Sequence, residues 1–229
     1  MQPPASEQPI LADILSYAFR GTGKYIFIVC VVLSLMSDLT ALAFPLLGLI
    51  AGFLIFGYFC AIYFQFIQTT AAGSAEAPHF PEISDIFGDI ITPAIQVIGV
   101  LLISHVPLIV AVFSMGLDDL RPEVVYAMLG LGVVYFPMAM LAVCVLGSLT
   151  AASPHIVIPA IVRSGGLYWL AVGMLCLLYL AAGQVHSHLE GQLLVGTLVN
   201  AIVGTYVLMT NARLLGTIYR EREEQLDWA

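Results

Sequence analysis

Residues 25–70 read YIFIVCVVLSLMSDLTALAFPLLGLIAGFLIFGYFCAIYFQFIQTT, a run of 46 residues in which Asp38 is the one charged side chain. Bilayer hydrocarbon is the solvent in which so long an apolar run is favourable, so the stretch predicts membrane insertion. As a single helix it would extend roughly 70 Å against a hydrocarbon thickness of roughly 30 Å, so it must fold back on itself. We place two spans in it, at about residues 25–43 and 45–69. The turn falls at Phe44-Pro45, because proline is tolerated in a first helical turn. Gly48 and Gly52 give the second span a GxxxG spacing, which lets a neighbouring backbone approach closely.

The whole chain shares this character. Its 229 residues are 60% apolar and 10% charged, with a mean hydropathy of +0.99. That composition argues against a soluble domain and for a polytopic membrane protein. A net charge of −8 with only seven Lys and Arg disfavours nucleic acid as a partner, because phosphate neutralisation needs clustered bases. Cys30, Cys60, Cys144 and Cys176 all fall in apolar runs without CxxC spacing, so neither a disulfide framework nor a thiolate metal site is expected. The N-terminus lacks the order of basic flank, apolar core and small-residue cleavage site, so the first span is expected to stay uncleaved.

Residues 1–8 read as disordered. A short amphipathic helix between Pro9 and Gly21 then carries Ile10, Leu11, Ile14, Leu15, Ala18 and Phe19 on one face, with Asp13, Ser16 and Arg20 pointing away. This is the pattern of an interfacial helix. After the second span, residues 71–89 hold Glu76, His79, Glu82, Asp85 and Asp89 without a base. Pro81 is placed to open an amphipathic turn with Ile83, Ile86, Phe87 and Ile90 on its apolar side. A third span follows at about 90–114, kinked or interrupted by Pro93 and Pro107. Asp118, Asp119, Arg121 and Glu123 mark a short loop, and a fourth span at 124–149 contains Pro137. Ser153-Pro154 reads as a helix start for a piece too short to cross, ending at Gly165-Gly166. The fifth span opens at Tyr168-Trp169 and ends near Val185, and the sixth runs from about 192 to 210. Its helix is expected to continue as residues 213–225, with Arg220 and Glu224 paired at i,i+4 and Trp228 at the end.

The predicted fold class is thus all-α: a polytopic membrane helical bundle of six spans plus two or three short interfacial helices. Residues 1–24 form the N-terminal part, 25–211 the membrane domain and 212–229 the C-terminal helix and tail. With the N-terminus inside, Arg20, Lys24, Arg163, Arg213, Arg220 and Arg222 face the cytoplasm and Arg121 alone lies outside, which orients both termini inward. Phe44-Pro45 and Phe136-Pro137 each precede an interfacial proline segment, the spacing an internal transporter-like repeat would leave.

Few side chains suggest chemistry. His186, His188 and Glu190 form an HxHxE run that would share one face of an extended segment and make a weak divalent-metal site. No fourth ligand is evident, so a short polar loop is the favoured reading. Asp38 sits near the end of its span, where a carboxylate reaches the interface more readily than it serves as a relay. His105, Gln65, Gln96 and Asn200 either line a polar path or bond between helices, the second being favoured. No cofactor motif and no set of nucleophile, base and orienting group is present. The acids Glu76, Glu82, Asp85 and Asp89 share a side with Arg213, Arg220 and Arg222. They either pair with those arginines in cis, the favoured reading, or stay free for a basic partner.

Gly57-Tyr58, Gly73, the Phe80-Pro81-Glu82-Ile83 segment with Asp85, Phe87 and Asp89, and the terminal helix through Tyr219 to Trp228 resemble the bacterial and archaeal domain of unknown function 4013 family of polytopic membrane proteins. The resemblance implies a six-helix bundle, distantly related to Yip-type membrane proteins, and carries over no catalytic residue. This chain departs from it in having Phe59, Cys60 and Ala61 where basic residues often follow the Gly-Tyr, and Ile83 in place of an aromatic. The expected partners are the lipid bilayer and a membrane protein or second copy of the chain. The expected role is a non-enzymatic scaffold or accessory subunit of a bacterial inner membrane. The alternative is a small-molecule permease or channel-like carrier with its site at the proline-broken spans three and four.

Overall fold

The structure is a computed structural model, and it describes residues 10–74, 76–81, 83–116, 120–189 and 192–228. The sequence readings of residues 1–8, Pro9, Glu82, Asp118, Asp119 and Glu190 lie outside these. Helices α1 (Ile10–Ser16), α2 (Gly23–Ala43), α3 (Pro45–Ala71), α4 (Thr92–Ser104), α5 (Val106–Met115), α6 (Pro122–Leu146), α7 (Pro154–His188) and α8 (Leu193–Leu226) follow one another, and no strand occurs among the described residues. Six helical segments are long and apolar enough to cross a membrane. The chain is an all-α polytopic bundle, multi-pass by the length and composition of its helices.

Proline and glycine set the breaks. Phe44 separates α2 from α3, with Pro45 in the first turn of α3. The third span opens with a π-helical turn at Phe87–Ile91 and is broken at His105, after which Pro107 sits in the first turn of α5. Pro137 lies inside α6, so Phe136-Pro137 does not repeat the role of Phe44-Pro45. Gly147 closes α6 in the left-handed conformation at φ +68°, its N–H bonded to the Val143 carbonyl at 2.9 Å. At Gly165 (φ 59°, ψ −142°) α7 kinks into an initial piece, residues 154–164, and a span. That backbone region is essentially glycine's alone.

The core lies where α3, α6, α7 and α8 meet. Met138 to Cys144 in α6 are buried on every side, as expected of a helix apolar all round. In hydrocarbon, association depends on close packing and interhelical hydrogen bonds. Gln68 Nε2 donates to the Cys144 carbonyl at 3.2 Å, Gln96 Nε2 to the Gly147 carbonyl at 3.3 Å, and Tyr135 Oη to the Ala152 carbonyl at 2.6 Å. Tyr168 Oη donates to the Val134 carbonyl.

One end of the bundle carries a polar layer made of α1, residues 154–164 of α7 and the last turns of α8. The terminal helix packs into this layer, with Ala212, Leu215 and Ile218 buried and Trp228 stacked on Tyr219. The amphipathic reading of α1 is corrected in one respect: Asp13 turns into the protein, because α1 rests on α8 and a buried arginine waits there. Pro81 also opens no helix. Asp85 does so instead, accepting from the N–H groups of Phe87 and Gly88 at 3.1 and 2.9 Å, as an N-cap residue does.

Candidate functional site

Two polar constellations stand out from the apolar bundle, and α8 contributes to both. Residues two apart on a helix project in nearly opposite directions, so Asn211 faces the bundle interior while Arg213 faces the polar end layer.

Arg213 is 3% exposed. Its guanidinium donates to Asp13 Oδ2 at 2.8 Å, to the Ser74 carbonyl at 2.9 Å and to Thr70 Oγ1 at 3.3 Å. Its face lies 4.1 Å from the ring centre of Tyr17, whose hydroxyl donates to the Glu76 carbonyl at 2.9 Å. Arg20 closes the other side, donating to Asp13 Oδ1 at 2.5 Å. Burial pushes the Asp13 carboxyl up, but the bonded Arg213 and the nearby Arg20 outweigh it and hold Asp13 below the ordinary 3.8. Burial pushes the Tyr17 phenol up, with Arg213 opposing. The residues that bracket both ends of the chain are therefore stapled to the end of α3.

In the interior, Tyr63 Oη donates to Asn211 Oδ1 at 3.0 Å and Asn211 Nδ2 donates to Tyr179 Oη at 3.2 Å, linking α3, α8 and α7. Tyr179, Asn211 and Phe136 separate two cavities of about 490 and 330 Å³. His105, at the break in the third span, lines the larger one. Its Nδ1 meets the Leu101 carbonyl at 2.9 Å, so the ring donates there and leaves Nε2 as an acceptor in the neutral form.

The residues singled out by sequence distribute as follows. Gly48 is seated against α2, where an added Cβ would lie 2.2 Å from Ala41 Cα, whereas at Gly52 it would meet Ser37 Oγ at an ordinary 3.5 Å. His186 and His188 belong to the last turn of α7, not to an extended segment, and so point apart. His186 Nδ1 meets Asn200 Nδ2 at 3.0 Å and His188 Nδ1 meets the Gln184 carbonyl at 2.8 Å. Among the described residues no three His, Cys, Asp or Glu side chains gather as a metal group. Asp38 is exposed on α2. Asp85 and Asp89 bond their own loop, Asp89 Oδ2 accepting from the N–H groups of Ser84 and Asp85 at 2.8 and 2.9 Å. Arg220 pairs with Glu221 at 3.2 Å rather than with Glu224, its Cδ lying beside Gly73, and Arg222 donates to Gln225 Oε1 at 2.8 Å. The arginines thus do not meet Glu76, Asp85 or Asp89 through their side chains.

Sequence reasoning did not find Asp13 as the partner of Arg213, nor the Tyr63–Asn211–Tyr179 chain. A buried arginine needs a carboxylate, and the helical pattern of α1 hid this one by assigning Asp13 to the face opposite its apolar residues. Comparison with protein-family models, with curated proteins and with solved structures finds no match for this chain.

Proposed function

We propose that this chain is a non-enzymatic scaffold or accessory subunit of a bacterial inner membrane, with both termini cytoplasmic and its docking face on the polar end layer. The observation that carries the reading is how the arginines of that layer are used. Arg213 and Arg20 are committed to Asp13, and Arg220 and Arg222 to their own helix. No cation among the described residues pairs with Asp85 or Asp89, which leaves their charge to a basic partner in trans. The orientation rests on six basic residues against one, and membership of the domain of unknown function 4013 family rests on Gly57-Tyr58 and the Phe80-to-Asp89 segment. The test is the variant Asp89→Asn, which keeps one side-chain oxygen to accept from the N–H groups of Ser84 and Asp85 and removes that charge. Purified in mild detergent, it should lose a partner protein that the wild type retains, at unchanged thermal stability; the same partner set in both would overturn the reading.

The permease alternative has its own supporting observation, the two cavities beside the broken third span and Pro137. Solute flux across proteoliposomes that is blocked by filling the larger cavity would favour it.

A further inference from the structure

The three side chains between the two cavities have more hydrogen-bond donors than the protein uses. Tyr63 brings one O–H, Asn211 two N–H and Tyr179 one O–H, four donor protons in all, while the chain of three contains two hydrogen bonds. Two protons are left over. Reversing the Asn211 amide does not change that count, since each bond consumes one proton whichever way it runs. With the amide as placed, the surplus donors are the second N–H of Asn211 and the O–H of Tyr179. Both residues line both cavities. Asn211 is 5% exposed, so water does not reach it from bulk. An amide N–H without an acceptor at the depth of Asn211 is costly.

The rest of the lining selects the body of the occupant. Phe136, Pro137, Val172 and Leu175 form the walls of the larger cavity, and Leu101 and Leu180, both exposed, stand at its rim. The rim therefore opens toward the hydrocarbon that surrounds the bundle, and an occupant enters from the bilayer. About 490 Å³ falls within the roughly 300–1,000 Å³ typical of small-molecule sites.

We propose that this cavity binds one apolar molecule bearing a carbonyl oxygen, with the oxygen on the surplus donors of Tyr179 and Asn211 and the body between α4, α6 and α7. A membrane fatty-acyl ester and an isoprenoid quinone share the required chemistry. The inference is independent of the scaffold reading, since it concerns the interior and not the polar end layer.

The experiment uses the full chain in mild detergent, titrated with methyl palmitate in one arm and decylubiquinone in the other. One of the two should bind saturably at one per chain, and which one does identifies the source. Tyr179→Phe removes a single oxygen and should weaken that binding about tenfold, the scale of one hydrogen bond. Cys176→Phe fills the cavity and should abolish it. Tyr126→Phe, on an exposed part of α6, should leave it unchanged. Thermal melts of each variant show that the fold persists. Saturable binding of neither probe, or affinity unchanged by both Tyr179→Phe and Cys176→Phe, would overturn the proposal.

Discussion

Asp13 and Arg213 are 200 residues apart in sequence and 2.8 Å apart in the structure, and removing either side chain leaves the other with a charge it cannot easily solvate. Breaking a buried pair by deleting one partner costs about 3–5 kcal/mol, and the partial exposure of Asp13 places Arg213→Ala near the lower end. Denaturation in mixed micelles should show that loss, with Asp13→Asn smaller and the double variant less than additive. The pair also carries a pH signature. Because folding lowers the Asp13 pKa, its contribution is complete above the ordinary 3.8 and is lost as pH falls through and below that value. The stability difference between wild type and Asp13→Asn should therefore shrink below about pH 4. His186 makes a different case: it bonds Asn200 across the α7–α8 turn, so His186→Ala with His188→Ala should lower stability slightly and leave metal content unchanged by elemental analysis. Stoichiometric zinc, lost in that variant, would show the histidines to be ligands.

Close helix contacts are specified by glycines whose neighbours differ. At Gly216 an added Cβ would lie 2.7 Å from the Ile67 carbonyl oxygen and 2.5 Å from Thr70 Cβ, while at Gly173 it would meet nothing within 4 Å. Gly216→Ala should cost about 1–3 kcal/mol by overpacking, and Gly173→Ala should be neutral or stabilising. Melting temperatures of the two variants check the contrast. At this scale much was legible in advance. The Phe44-Pro45 turn, the break near Pro107 and the Gly165 kink follow from backbone constraints, which act locally and are written in single residues. Side-chain pairing was not legible to the same degree. Arg220 was expected on Glu224 by helical spacing, yet it pairs with Glu221 while its Cδ lies beside Gly73, and no local rule anticipates where the end of α3 will lie. The Tyr63–Asn211–Tyr179 chain joins three helices and has no signature within any one of them.

Across the whole molecule, six crossings bring the N-terminal and C-terminal segments to the same end, where Arg213 joins them. An even number of spans requires this, and in the orientation proposed above that end faces the cytoplasm. The loop after α3 and the turn after α7 must then lie on opposite sides of the membrane. His79 and Ser187 are exposed at these two places. The direct test introduces single cysteines as His79→Cys and Ser187→Cys in a chain with Cys30, Cys60, Cys144 and Cys176 replaced, then labels intact cells with an impermeant thiol reagent. Six crossings with both termini inside predict labelling at position 187 without permeabilisation and at position 79 only after it; labelling of both positions from the same side would contradict that arrangement.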